Sequence, residues 1–364
     1  MQISPVEPKN SLKLAFIQSF LPSRSHGGVG YFTHYFANVM VQRGHSVTVF
    51  SLHPAPAGAL YQVELLALPS WLRGSKLANL YLFAFLVARQ DYTQFDLIHA
   101  QGDDFLLWWS WRKKPRLRTF SGSALAEAIH ARKWQTRLVQ LSFYPLEWLS
   151  GLTTDARIAI SQATRQHLPF IRQVIPQGVD LTTFVPGQEK SANPSILFVG
   201  HGLYDRKRGY LLVKTFEQEI LPKLPAAELW LVCEDTIIHP NIKCYRNLSE
   251  SNLIALYQKA WVFCLPSSYE GFGRPYLEAM ACGTPVVATP NSGAREVLQN
   301  GACGLLVSES LLGQALLNLL QDAPHRTHLS QRGLLRAQDF CWQRIADAYE
   351  RVYWEAMGKR GNVW

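Results

Sequence analysis

Short apolar runs alternate with stretches of helical spacing along almost the whole chain, and they do so twice. The first series opens with Leu12 to Ser19, a loop through Ser23 to Gly30, helical spacing over Tyr31 to Arg43 (Phe32, Phe36, Val39, Met40) and a β-branched run at Ser46 to Ser51. Gly44 stands where a helix of that spacing would end, so this opening predicts strand, glycine loop, helix and parallel strand. Further strands are expected at 95–99, 117–120, 158–160 and 173–175. A turn-rich polar stretch follows at Pro176 to Asp180 and Pro186 to Ser191, where a linker would fall. Strands expected at 195–200, 228–233, 261–266 and 285–288 then alternate with helices over 210–221, 249–260 and 276–282. This is the pattern of two doubly wound parallel sheets, with a cleft between the carboxyl ends of their strands. The expected division is 1–177 and 178–341, and a last helix from Trp342 to Met357 is long enough to return to the first unit.

Composition supports this α/β reading and narrows it. With 48% hydrophobic and 17% charged residues the 364-residue chain has material for two cores, and disorder is excluded as the main state. Its formal net charge of +9 is unevenly spread: residues 1–180 hold 18 basic and 10 acidic side chains, residues 181–364 hold 18 and 17. Anionic partners therefore belong with the first half. All six cysteines lie in the second half without a Cys-x-x-Cys pair, which predicts reduced thiols and no zinc site. Neither a signal peptide nor a membrane span is read; the longest apolar run, Leu77 to Ala88, falls short of the ~20 residues a span needs. The expectation is a soluble cytoplasmic protein, with the inner face of a membrane as a peripheral location.

The densest chemistry is the run from Ser267 to Val287. Gly271 and Gly273 allow the backbone to approach a ligand, Pro275 marks a helix start, and free amides there favour an anion. Glu270 in the loop and Glu278, eight positions on and expected on the first helical turn, can hold two hydroxyl-bearing parts of one ligand. An ordinary strand–turn–helix would account for the glycines or for one glutamate alone, but not for the whole run. A glycosidase pair of carboxylates is the other possibility, and nothing in the sequence supplies its facing geometry.

This run resembles the family 4 glycosyltransferases, retaining nucleotide-sugar enzymes of the GT-B fold with two Rossmann-like domains. The resemblance rests on Glu270-Gly-Phe-Gly and Leu277-Glu-Ala-Met-Ala-Cys-Gly-Thr-Pro-Val-Val-Ala, with Gly27 to Gly30, Arg43 to Val49, Ile175 to Asp180, Phe198-Val-Gly and Gly293 to Val297 in support. It implies that Glu270 contacts the donor sugar, that Glu278 holds the ribose, and that the amides of Gly271, Phe272 and Gly273 lie against sugar and diphosphate. Gly28 would face the cleft near the diphosphate. No cofactor or metal is implied beyond the nucleotide diphosphate sugar.

Asp205-Arg-Lys-Arg-Gly209 opens a helix after the strand ending at Gly200. Consecutive cations at such a place suit a diphosphate, and a solvated basic turn is the alternative. The resembling enzymes clamp the diphosphate with an Arg after the strand glycine and a Lys before the helix glycine. Here His201 fills the first position, and Lys207, with Arg206 or Arg208, is expected to serve for the pair. In the first half, Gln101 and Ser121 stand where the family often has histidines, while Asp103 and Asp104 are candidates for the acceptor side. His99 reads as a buried strand residue. The Gly27–Gly30 loop lacks the dinucleotide fingerprint, which argues against a nicotinamide cofactor.

The positive excess gathers at Trp108, Trp109, Trp111, Arg112, Lys113 and Lys114, and around Arg132, Lys133, Trp134 and Arg137. Aromatics with cations suit an anionic membrane surface or core tryptophans beside a solvated basic face; no nucleic-acid motif accompanies them. The expected function is transfer of a sugar from a nucleotide diphosphate sugar to a hydroxyl of a glycan or lipid-linked glycan. The rivals are a degenerate relative that only binds nucleotide sugar, a nucleotide-sugar epimerase and a phosphorylase-type enzyme, the last without a distinctive pyridoxal lysine.

Overall fold

The computed structural model describes residues 11–22, 29–68, 76–109, 114–131 and 134–358. The first series folds as β1 (Lys13–Ile17), α1 (Val29–Gln42), β2 (Ser46–Ser51), β3 (Gln62–Leu65), α2 (Lys76–Ala88), β4 (Leu97–Ala100), β5 (Arg116–Phe120), α3 (Ala124–His130), α4 (Trp134–Leu152), β6 (Ala156–Ala159), α5 (Gln162–His167) and β7 (Gln173–Val174). These strands form a seven-stranded sheet in the order β3-β2-β1-β4-β5-β6-β7. The second series is β8 (Ser195–Val199), α6 (Gly209–Thr215), β9 (Glu228–Val232), β10 (Ile242–Tyr245), α7 (Glu250–Lys259), β11 (Val262–Leu265), α8 (Arg274–Ala281), β12 (Val286–Ala288), α9 (Ser292–Val297), β13 (Leu305–Leu306), α10 (Leu312–Gln321), α11 (Ala323–Ala337) and α12 (Trp342–Ala356). Its strands form a six-stranded sheet in the order β10-β9-β8-β11-β12-β13.

Neighbouring strands run parallel in both sheets. Central strands are buried on both faces, which is why β11, and β4 apart from its buried His99, read as apolar runs without alternation. In each sheet the strand order reverses once, between β1 and β4 and between β8 and β11. Such reversals leave a crevice outside the carboxyl ends of the two strands concerned. The loops that leave those four strands are therefore where a ligand can be reached by both halves of the chain.

The helices follow the spacing of their apolar residues. Phe32, Phe36, Val39 and Met40 turn one face of α1 into the first core. The run from Leu77 is part of α2, with Phe83, Ala84 and Val87 buried and Tyr81 and Phe85 exposed. The single helix expected over 210–221 changes pitch, α6 continuing as a π-helical segment at Phe216–Ile220. One helix also starts earlier than its sequence implies. Gly273 takes a left-handed backbone (φ 98°) and lets α8 begin at Arg274, with Pro275 in the first turn where its missing N–H costs nothing. Glu278 consequently lies on the second turn, not the first.

The last helix returns to the first core. Trp342, Ile345, Tyr349, Val352 and Tyr353 of α12 pack with Phe32, Phe36 and Leu97, and the Phe36 and Tyr349 ring centroids lie 4.6 Å apart. His99 is fully buried between the Tyr353 hydroxyl (2.7 Å) and the Thr119 hydroxyl (2.8 Å). Burial pushes its pKa down to about 3, so it is a neutral core residue. On the helix's outer side Arg43 forks onto Glu350 at 2.6 and 2.8 Å. The six cysteines are free thiols; Cys233, Cys264, Cys282 and Cys303 are buried, while Cys244 and Cys341 are half-buried.

Candidate active site

Two loops of the second domain and two of the first meet in the cleft. The loop after β11 carries Glu270, which is buried and accepts a hydrogen bond from the Ser267 hydroxyl at 2.9 Å. Ser267 is itself fixed, its carbonyl accepting from Thr289 Oγ1 (2.8 Å) and Asn291 Nδ2 (3.2 Å). From the other side α9 presses against the loop at Gly293: a Cβ there would lie 2.6 Å from the Phe272 carbonyl and 2.8 Å from that of Glu270. The loop's path, and so the direction of Glu270, depends on a residue without a side chain 23 positions downstream of it. Gly271 faces the first domain, where a Cβ would come within 3.1 Å of the Ser121 carbonyl.

Glu278 is buried one turn into α8. Its Oε1 accepts from Arg274 Nε at 2.6 Å and its Oε2 from the Tyr257 hydroxyl at 2.9 Å. Each oxygen has further lone-pair capacity, so the pair of partners orients the carboxylate and leaves it able to take a ligand hydroxyl. Arg274 also reaches across the cleft, its guanidinium 4.9 Å from the Tyr31 ring and 5.2 Å from the Tyr35 ring of α1. Sequence reasoning missed Arg274, Tyr257 and the two tyrosines. The i,i+4 spacing of Arg274 and Glu278 was a readable signal for the first.

The basic turn after β8 divides its three cations among different tasks. Arg206 leans toward the β11 loop. Its carbonyl accepts from the Ser268 amide at 2.9 Å, and its guanidinium lies 3.9 Å from Glu270 and 3.2 Å from Glu127 of α3 in the first domain. These two carboxylates outweigh burial and hold the guanidinium charge more firmly than usual. Lys207 donates from Nζ to the Val199 carbonyl at 3.1 Å, at the carboxyl end of β8. Arg208 turns away, donating to the Pro266 carbonyl (2.7 Å) and Thr289 Oγ1 (3.0 Å) and pairing with Glu309. It ties the ends of the loops together. His201 is exposed.

On the first domain's side, Gln101, Asp103, Arg118, Ser121, Glu127 and Glu147 line a cavity of about 380 Å³ at the carboxyl ends of β4 and β5. Gln101 Oε1 accepts from Thr33 Oγ1 at 2.7 Å, while Gln101 Nε2, Ser121 Oγ and Arg118 Nε have no hydrogen-bond partner among the described residues. Asp103 accepts from the Ser19 hydroxyl, and burial pushes its pKa up to about 6. Asp104 does not line this cavity; it is buried, bound by Arg118 and by the Ser150 hydroxyl at 2.7 Å. Glu147 of α4, Glu127 and Arg118 were not singled out from the sequence. They come from segments remote from Gln101, and no local spacing marks them.

Gly28, Trp111, Arg112, Lys113, Arg132 and Lys133 lie outside the described residues. Trp108, Trp109 and Trp134 are 48%, 67% and 68% exposed, which places them on the surface rather than in a core. No described helix is long and apolar enough to cross a membrane. Among the described residues no three His, Cys, Asp or Glu side chains gather into a metal-holding group.

Comparison with known proteins agrees with this arrangement over both domains. Residues 26–183 match the model of Glycosyltransferase Family 4, and residues 227–336 match that of Glycosyl transferases group 1. The MMP alpha-(1->4)-mannosyltransferase of Mycolicibacterium hassiacum is 26% identical, with 93% of this chain and 97% of that protein covered. A D-inositol 3-phosphate glycosyltransferase of Corynebacterium urealyticum is 25% identical, with 86% and 82% covered. In fold, the chain is similar to sucrose-phosphate synthase of Thermosynechococcus elongatus, with a TM-score of 0.76 at 20% identity over 95% of this chain and 99% of that one. It is also similar to HepE of Anabaena in complex with UDP and glucose, with a TM-score of 0.70 at 18% identity over 94% and 99%.

Proposed function

The chain belongs to the group 1 glycosyltransferases of GT-B fold, and from that premise we propose that it moves a hexosyl group from a nucleotide diphosphate sugar to a hydroxyl, with retention and without a metal. The observation that carries this reading is the meeting of Arg206 and Glu270 in the cleft, 3.9 Å apart beside the glycine loop that opens α8. A cation and loop amides there suit a departing diphosphate, and Glu270 suits the sugar. The names of the relatives support a hexosyl donor, two of them being mannosyltransferases.

In this reading the division of labour follows the two sheets. Residues 178–341 take the donor, with Glu278 on the ribose, Gly271, Phe272 and Gly273 along the sugar and diphosphate, and Lys207 with Arg206 on the phosphate charge. Residues 1–177, completed by α12 (Trp342–Ala356), take the acceptor through Gln101, Asp103 and Ser121. Gly28 and His201 keep subsidiary places beside the donor. Arg208, bound to Pro266, Thr289 and Glu309, supports the loops. Retention follows from attack on the face the diphosphate leaves: the bond from the anomeric carbon to the phosphate oxygen breaks as the bond to the acceptor oxygen forms. The departing phosphate oxygen takes the acceptor's proton. Such a step asks for charge stabilisation more than for a protein base, which fits Gln101 and Ser121 in place of histidines.

The exposed Trp108, Trp109 and Trp134, with Leu138 and Leu141 on the same helix as Trp134, support a further part of the reading: the first domain rests on an anionic membrane surface while using a lipid-linked acceptor.

Calorimetry against UDP-, GDP- and ADP-sugars, followed by product analysis with a hydroxyl acceptor, tests the assignment. One of the three should bind and turn over with its anomeric configuration kept. Product formed without any acceptor would instead identify an epimerase, and binding without turnover a degenerate relative.

A further inference from the structure

The cavity on the first domain's side has a charge distribution that bears on which acceptor can enter. Its described lining holds three carboxylates, Asp103, Glu127 and Glu147, and one cation, Arg118. That cation pairs with buried Asp104 and its guanidinium lies 4.5 Å from the Phe120 ring, while its Nε has no hydrogen-bond partner among the described residues. Arg206, the cation on the cleft's other wall, stands between Glu127 and Glu270.

Glu147 accepts the Ala124 amide with both oxygens, at 3.0 and 3.1 Å, at the start of α3. Even with that amide and the Arg118 charge nearby, burial pushes its pKa up to about 7. Glu147 thus already lacks full compensation for its own charge. Partnerless Gln101 Nε2 and Ser121 Oγ add a donor and a hydroxyl to the same lining. The cavity thus offers hydrogen bonds suited to hydroxyl groups, while a phosphate entering it would meet three carboxylates against one described lining cation, whose charge already pairs with Asp104.

Resting on the transfer reading above, we propose that this cavity seats an uncharged polyol acceptor and rejects its phosphorylated counterpart, with Glu147 and Asp103 binding acceptor hydroxyls. The chain would differ in this from relatives whose names specify D-inositol 3-phosphate.

The test uses the full chain saturated with whichever of UDP, GDP or ADP it binds, titrated with myo-inositol and methyl α-mannoside and with their counterparts myo-inositol 3-phosphate and mannose 6-phosphate, and followed by saturation-transfer NMR. At least one neutral polyol should bind tenfold or more tightly than its phosphorylated counterpart. Glu147→Gln keeps one oxygen for the Ala124 amide, turns the other into an NH2 donor and removes the charge, so it should shrink that ratio at least threefold at pH 8 and change it little at pH 6. A phosphorylated ligand binding as well as its neutral partner, a ratio unmoved by Glu147→Gln, or no polyol binding to the nucleotide-loaded protein would each overturn the proposal. Failure to bind any nucleoside diphosphate would strike the transfer reading instead, and the neutral-against-phosphorylated comparison on the free protein would still judge the cavity.

Discussion

Arg206 of the second domain and Glu127 of the first face each other at 3.2 Å across the cleft, and the same guanidinium stands 3.9 Å from Glu270. One side chain thus touches the partner domain and the proposed reacting centre together. If it stabilises the leaving diphosphate, Arg206→Ala should lower kcat/KM by 10²-fold or more, about 3 kcal/mol of transition-state stabilisation. Glu127→Ala removes the cross-domain bridge, worth roughly 0–1 kcal/mol, together with one lining carboxylate of the acceptor cavity, and should change kcat/KM for the donor no more than a few-fold. Steady-state kinetics of both variants with the donor found by calorimetry makes the comparison; equal losses would assign Arg206 to domain closure rather than to the diphosphate.

Glu270→Ala should reduce kcat by 10²- to 10³-fold while the thermal midpoint changes little, because its side-chain contacts in the fold are the Ser267 hydroxyl and the Arg206 guanidinium at 3.9 Å. Near-normal turnover in this variant would remove Glu270 from the reacting centre.

Arg208 should behave in the opposite way. Its guanidinium satisfies the Pro266 carbonyl and Thr289 Oγ1 and pairs with Glu309, so Arg208→Ala leaves a half-buried carbonyl without its donor. A loss of about 1–3 kcal/mol in denaturant unfolding is expected, with donor affinity changed less than fivefold. A large rise in the donor Kd without a stability change would return Arg208 to the phosphate.

How much of this could be read from the sequence differs between the two walls of the cleft. Glu270, Gly271, Gly273 and Glu278 lie on one strand–loop–helix, so their spacing alone brings them together, and the alternation of strands and helices was legible for the same reason. The order of β1 and β4 in the sheet, by contrast, brings Gln101 beside Thr33, and α4 carries Glu147 to the Ala124 amide. Such pairings are set by packing between distant segments and leave no periodic trace. The basic turn illustrates the middle case. Its place after β8 was evident, yet a left-handed backbone at Arg208 (φ 54°) turns that side chain toward Pro266 while Arg206 reaches the cleft. Three consecutive cations therefore read as one patch in sequence and act as three separate contacts.

The exposed tryptophans give a prediction independent of catalysis. Sedimentation with anionic vesicles should carry down the full chain, with less bound as salt rises, and Trp109→Ala with Trp134→Ala should reduce the bound fraction at least threefold. The same fraction bound to neutral and anionic vesicles would remove the electrostatic part of the explanation.

The return of α12 to the first domain makes stability depend on acid. Glu350 accepts from Arg43 at 2.6 and 2.8 Å and from His45 at 3.0 Å; these partners outweigh its burial and hold its pKa down to about 2. A carboxylate whose folded pKa lies below its unfolded value releases protons on folding. Its stabilising contribution is therefore complete above the ordinary glutamate range near pH 4.5 and is lost as pH falls toward 2. Because Glu350 keeps a fifth of its side chain in solvent, the contribution is on the order of 1–2 kcal/mol rather than the full shift. Glu350→Gln should lower unfolding free energy by that amount at pH 7, and its unfolding curve should meet that of the parent chain as both approach pH 2. Urea titrations at several pH values measure this convergence; a constant difference down to pH 2 would mean that the helix is held by its aromatic face alone.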